Sequence, residues 1–306
     1  MGSGNAGDAL DRVAREIGGT ELVDRLAALS GSDFATVMLE VVRRRAARET
    51  PATVLRRYQH DRFVRPGGAP WRAARRAEDV LLGCLPAGTE VVPLAPLVPL
   101  GTHSALATVS QHKVVTAIRA CEVAADPTNG LALEAAVRRA AEPRELVRLA
   151  AIQRVVRAQR FPAGWSAHFG LFATVTAGRD QGSRLFEQAA VAEQLRFAVA
   201  ALCAAGVPRV QVALTPLSDD GERIAAALAL ESADVVADHD RVGGRGYYRD
   251  LCFKVNALVD GTPTEIGDGG FTDWTARLLA NAKERLLIAG YGLDRLAAFI
   301  GEAPRE

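Results

Sequence analysis

The sequence is short of several things, and each shortage narrows what it can be. Its 306 residues include four cysteines, Cys84, Cys121, Cys203 and Cys252, far apart and without a C-x-x-C pair or a His/Cys cluster. That spacing supplies neither a zinc site nor a disulfide framework, so no metal site is expected. The cysteines read as small buried apolar side chains in a reducing compartment. Lysine is nearly missing: Lys113, Lys254 and Lys283 are the lysines among 37 basic residues. With 36 acidic residues the net charge is +1, too balanced for a strong non-specific hold on nucleic acid. No apolar run reaches the roughly 20 residues that a membrane span needs, and no signal peptide opens the chain. A soluble, cytoplasmic protein with no membrane partner is expected. No internal repeat or low-complexity tract is evident.

What is abundant is apolar, at 49% of residues, enough for a sizeable core. The glycine- and serine-rich start, Met1–Gly7, is expected to be loose. From Asp8 to about His60 the pattern is helical, with Leu10, Val13 and Ile17 on one face and Leu22, Leu26 and Leu29 on another. Ser32 or Asp33 offers a cap before the helix of residues 34–47, and Pro51 suits a first helical turn. Arg43, Arg44 and Arg45 end the middle helix as a solvated run that complements its dipole. Pro66-Gly67-Gly68 is the best boundary signal. We therefore expect a helical region over residues 1–65 and a larger domain over 66–306.

In that larger domain, an amphipathic helix is expected over 69–85 and a strand start at 90–94. Another helix is expected over 131–141. A clean alternation over 167–176 predicts a strand, and a long helix follows from Leu185. Strand at 207–214, helix at 218–230 and a return to the sheet near 235–240 come next. Leu251, Phe253 and Val255 alternate with Cys252 and Lys254 as a half-buried strand. Gly267, Gly269 and Gly270 read as a turn or a close backbone approach. Leu286–Ala289 is a short strand broken by Gly290 and Gly292, with a helix over 293–300. An arginine at such a strand–glycine–helix junction is placed to meet an anion. His103 and His112 have no partner spacing that marks a ligand or a base, and His239, between Asp238 and Asp240, reads as an exposed turn rather than a catalytic diad.

Three segments near the C-terminus, R-G-Y-Y-R-D-L-C-F-K-V from Arg245, I-G-D-G-G-F-T-D-W from Ile266 and G-Y-G-L-D-R-L from Gly290, occur in that order. Together they resemble the end of a class II aminoacyl-tRNA synthetase catalytic domain of the histidyl-tRNA synthetase branch. Arg245 with Tyr247 and Tyr248 is similar to that family's R-G-L-D-Y-Y segment, which lines the amino-acid and ATP site. Gly269, Gly270 and Asp273 resemble its G-G-R-Y-D turn. Arg295 stands where the motif 3 arginine grips ATP. Asp126-Pro127-Thr128-Asn129 resembles the L-R-P-E-x-T segment whose threonine and glutamate hold the substrate amino group. Thr128 would match the threonine, with Asn129 or Glu122 as a second polar group. The same residues also read as a helix cap, with Asp126 or Thr128 as N-cap, and both readings stand.

Motif 2 of the family runs F-R-x-E, then G-R and F-x-Q across a loop. Gly178-Arg179 and Phe186-Glu187 resemble its second part. The first part is not found at the same place, because Phe172 is followed by Ala173 and Val175. The missing arginine is the group that meets the α-phosphate, and losing such a donor costs about 10²–10³ in rate. The resemblance implies an α+β fold with a mostly antiparallel six-stranded sheet flanked by helices, a homodimer, and ATP with Mg²⁺ as cofactors. Arg245 and Arg179 would be catalytic. Arg295, Arg179 and Glu187 would serve the nucleotide. Thr128, Asn129, Tyr247, Tyr248, Gly269, Gly270 and Asp273 would serve an amino-acid-like substrate. No anticodon-binding segment follows the class II-like region, so tRNA is not an expected partner. Function then divides between an ATP-dependent ligase that activates an amino acid and a catalytically inactive regulatory or protein-interaction subunit. The latter would be like the regulatory subunit of ATP phosphoribosyltransferase.

Overall fold

The computed structural model describes residues 4–162 and 165–300. They form two compact units: the chain up to Asp61 with Thr116–Cys121, and Arg62–Val115 with Glu122 onward. The first unit carries four helices: α1 (Gly4–Glu16), α2 (Thr20–Ala27), α3 (Gly31–Ala46) and α4 (Pro51–His60). The expected loose start falls partly outside the described residues, and from Gly4 onward it is helical. Ser30, not Ser32 or Asp33, caps α3, its hydroxyl accepting from Asp33 N at 3.1 Å. Thr50 and Thr53 form a reciprocal capping box ahead of Pro51. Arg43 and Arg44 of the basic run are both held by Glu40, at 2.6 and 2.7 Å.

In the second unit, α5 (Trp71–Gly83) precedes β1 (Glu90–Val91), β2 (Leu97–Pro99) and a stretch with two short helical turns, Thr102–Leu106 and Gln111–Lys113. After β3 (Thr116–Ala117), which belongs to the first unit, come β4 (Cys121–Val123), α6 (Pro127–Ala141), β5 (Val147–Val156), β6 (His168–Arg179) and α7 (Leu185–Ala204). The chain continues through β7 (Val210–Pro216), α8 (Asp219–Ala226), β8 (Asp234–Ala237), β9 (Arg249–Val259) and β10 (Thr262–Thr272). It closes with α9 (Trp274–Leu278), β11 (Glu284–Gly292) and α10 (Leu293–Ala297).

The class is α+β as expected, but the sheet is larger than expected. Eight strands run in the order β1-β5-β6-β11-β10-β9-β7-β8, and β2, β4 and β3 form a separate three-stranded sheet. The six central strands are antiparallel throughout. The correction lies at the edges, where the short strands β1 and β8 join in parallel. Glu90–Val91 reaches the sheet beside Leu149 and Ala150 because the prolines at 93, 96 and 99 stop any longer pairing.

Each face of the sheet carries its own core. α5, α7, α8 and α10 pack on one face around Phe172, Leu195, Leu202, Phe253 and Tyr291. The helix α7 is apolar nearly all round because it lies in that core. On the other face, α6 and Trp274 close over Leu149, Val175, Cys252 and Ile288. Arg139 of α6 pins this second layer. Its buried guanidinium forks onto Glu284 at 2.9 and 3.0 Å and also donates to the carbonyls of Pro143 and Glu145.

The glycines read as a turn or a close backbone approach do not turn the chain; they lie inside β10, for a packing reason. A Cβ on Gly267 would stand 2.3 Å from the Tyr291 ring, and one on Gly269 would stand 2.4 Å from Phe253. A Cβ on Gly270 would stand 2.7 Å from Tyr248. Three large rings thus press on one strand, those of Tyr291 and Phe253 from one core layer and that of Tyr248 from the other.

Candidate functional site

Where β5 and β11 end and β6 begins, the second unit opens into a cleft of about 1720 Å³. Its floor is the start of β6 (Phe169, Gly170, Leu171), the middle of β10 and the end of β11. Gly290 keeps that floor open: a Cβ there would meet nothing within 4 Å.

One wall is the start of α6. Asp126 is the N-cap, one carboxylate oxygen accepting from Thr128 N at 3.0 Å and Thr128 Oγ1 at 2.7 Å. Arg157, just beyond β5, donates to Ala125 O at 2.9 Å, reaches the other Asp126 oxygen at 3.3 Å, and lies over the Phe169 ring. Asp126 caps the helix, as the capping reading has it, and Asp126, Thr128 and Asn129 also line the cleft. Behind them His103 and Glu122 form a buried pair. His103 Nδ1 donates to Glu122 at 2.6 Å, while its Nε2 accepts from Ala125 N at 2.9 Å. That acceptor role places the ring hydrogen on Nδ1. Glu122 also accepts from His103 N, Gly101 N and Gln111. Burial works against its charge, but these donors outweigh burial and hold the carboxyl below its ordinary range. Glu122 does not line the cleft; it fixes the residues that do.

The opposite wall is aromatic and acidic. The Tyr247 ring lies 4.4 Å from that of Tyr248 and 5.9 Å from Trp274. Asp268 of β10 receives the Tyr248 hydroxyl on one oxygen and the buried Arg241 guanidinium on the other. Burial pushes the Asp268 carboxyl up, against the pull of Arg241 and the Tyr248 hydroxyl. Burial first, and then the nearby Asp268 charge, push the Tyr247 hydroxyl up to about 12 and the Tyr248 hydroxyl well above its ordinary value. Both phenols therefore stay neutral hydrogen-bond donors at ordinary pH.

Of the residues singled out from sequence, Thr128, Asn129, Tyr247, Tyr248 and Arg295 come together in this cleft. Arg295 donates to Glu265 O at 2.7 Å and sits 5.0 Å from the centre of the Trp165 ring. The others lie elsewhere. Arg245 spends its guanidinium on the carbonyls of Arg241 and His239. Gly269 and Gly270 are strand interior, and Asp273 pairs with Arg249 at 2.9 Å. Arg179 is at the far end of β6, roughly 30 Å of strand from the cleft floor. Glu187 is buried near that end, held by Arg184 and Arg285.

Sequence reading missed Arg157, Arg241, Asp268 and Trp274. The hairpin that opens on the cleft is β5–loop–β6, one strand earlier than the segment matched to motif 2. At its first corner stand Val156-Arg157-Ala158-Gln159, so the cleft does contain an arginine at the end of the first strand. The signal was the strand Val147–Val156, which carries Arg157 at its exit.

No family model and no curated protein sequence matches the chain. Among solved structures its fold is similar to an ATP phosphoribosyltransferase regulatory subunit/histidyl-tRNA synthetase from Bacillus halodurans C. The TM-score is 0.60 at 14% identity, over 79% of this chain and 84% of that one. It is similar to apo histidyl-tRNA synthetase of S. aureus, with TM-score 0.59 at 16% identity, over 79% and 72% of the two chains. A histidine–tRNA ligase subunit from Alicyclobacillus acidocaldarius gives 0.60 at 16%, over 77% and 96%. Such identities speak to architecture: this chain has the fold of a class II aminoacyl-tRNA synthetase-like catalytic domain of the histidyl-tRNA synthetase kind.

Proposed function

We propose that the cleft binds an amino-acid-like small molecule, with a nucleotide as a second, weaker ligand, and that the chain works as a binding or regulatory subunit. The observation that carries this reading is the convergence of Asp126, Thr128, Tyr247 and Asp268 on one cleft, while Arg245 and Arg179 point to no shared ligand. Carboxylates, a hydroxyl and a phenol suit an amine and a small polar body. The likeness to a regulatory subunit of ATP phosphoribosyltransferase supports the same reading.

A second reading, ATP-dependent activation of a carboxylate, rests on Arg157 and Arg295. Both line the cleft and would hold ATP phosphates. Each is already engaged, by Asp126 and by Glu265, so phosphate must compete with a carboxylate for it. Mg²⁺ bound with the phosphates would neutralise part of their charge. Among the described residues no group of three or more His, Cys, Asp or Glu side chains is placed to hold a metal by itself.

Calorimetric titration with each amino acid, and with ATP and Mg²⁺, tests the proposal. Amino-acid binding, weaker nucleotide binding and negligible amino-acid-dependent exchange of pyrophosphate into ATP are expected. Robust exchange would establish the ligase instead.

A further inference from the structure

The four N-terminal helices have little to pack on. They are 8 to 16 residues long, and helices of that length are marginal in water unless tertiary packing covers an apolar face. Yet among their described residues Ala14 alone is buried. Leu10 and Ile17 of α1, Val37 and Val41 of α3, and Val54 and Leu55 of α4 are 40% to 58% exposed. Amphipathic helices with their apolar side chains in solvent mark an interaction surface.

Charge indicates what covers it. Residues 8–29 hold five acidic residues and three arginines, a net −2, whereas residues 31–58 hold three acidic residues and six arginines, a net +3. The ion pairs here stay inside one half: Arg12 with Glu16 in the first, Glu40 with Arg43 and Arg44 and Glu49 with Arg57 in the second. Among the described residues, Asp11 and Asp24 of the acidic half and Arg48 and Arg56 of the basic half are exposed and form no ion pair. A polyanion would suit the basic half and be repelled by the acidic one. A second copy offers each half its opposite. Across a two-fold axis one patch faces itself, so an acidic-to-basic match made once is made twice.

We propose that α1–α4 form an assembly surface for a second copy of this chain, the apolar faces buried between the copies and the acidic half of each set against the basic half of the other. The expectation of a homodimer leaves the surface open; these helices supply it.

The experiment is light scattering and sedimentation of the full chain at micromolar concentration in low salt, where charges are least screened. It is run on the unsubstituted protein, on Asp11→Arg with Asp24→Arg, and on Arg48→Glu with Arg56→Glu. The unsubstituted chain should assemble, and each charge-reversed variant alone should dissociate about tenfold or more readily, because like charges then face each other. An equal mixture of the two variants should regain the unsubstituted mass, since every contact between unlike copies pairs opposite charges again. Such recovery also shows that both variants are folded. Leu55→Ser, which removes an exposed apolar side chain and no charge, should weaken the assembly as well, and it tests the surface where a reversal disturbs folding. A monomeric unsubstituted chain would overturn the proposal. So would an assembly that Leu55→Ser and both reversals leave intact, which would place the interface elsewhere on the molecule. Variants that melt like the unsubstituted protein, dissociate alone and fail to recombine would overturn the pairing of opposite halves.

Discussion

Glu122 collects four donors in a buried setting, Gly101 N, His103 N, His103 Nδ1 and Gln111 Nε2, and its environment sets a pH dependence. Its folded pKa lies below the ordinary 4.5, so the stability it contributes is fully present above that value. It is lost as pH falls through the folded value. Urea unfolding of the wild type and Glu122→Gln should show a difference at pH 7 that shrinks below about pH 4.5. A difference that grows as pH falls would reverse the sign. At the cleft mouth, Arg295→Ala should weaken nucleotide binding by about 1.5–3 kcal/mol, the range for a hydrogen bond to a charged group. Unchanged affinity would remove Arg295 from the nucleotide site. Residues taken from the family resemblance, Thr128, Tyr247 and Tyr248, line one cleft. Arg241 and Asp268 were not legible, because 27 positions separate two side chains that meet only where the segment between β8 and β9 folds back onto β10.

At the scale of elements, β6 announced itself through strict alternation, whereas β5 did not. Val147–Val156 is buried on both faces in its middle, and Ala150 and Ala151 side by side blur any period. Missing that strand displaced the motif 2 match by one hairpin and made Arg157 invisible. The glycines of β10 misled in another way. Three in a short span suggest a turn, but here each makes room for a ring. The floor glycine of β11 is the opposite case. Gly290→Leu should fill open space, change stability by less than about 1 kcal/mol, and abolish ligand binding in the cleft. A large loss of stability would show that the floor is not open. The anchor between α6 and β11 is ionic and dry: side-chain exposure is 0% for Arg139 and 3% for Glu284. Arg139→Ala leaves Glu284 buried and unpaired and should cost about 3–5 kcal/mol in urea unfolding.

The whole molecule matches its sequence-based expectation in class and exceeds in width the six strands that the resemblance implies; the two extra edge strands, Glu90–Val91 and Asp234–Ala237, lie where the residue pattern places a strand start at 90–94 and a return to the sheet near 235–240. None of the helices among the described residues is long and apolar enough to cross a membrane. The resemblance to class II synthetases leads us to expect a homodimer, and light scattering at micromolar concentration should give twice the chain mass; a monomer would set that expectation aside. The brief edge strands bear on how copies could meet. A long bare edge would let one sheet recruit the next and grow into fibrils. Here Glu90–Val91 and the neighbouring chain occupy one side of β5, with Val92 N and Ala95 O both bonded to it. Asp234–Ala237 is four residues long and exposed, and it carries an acidic residue paired with Arg209. Such margins resist open-ended stacking in crowded solution, so an assembly of this chain would have to be finite and built from its other surfaces.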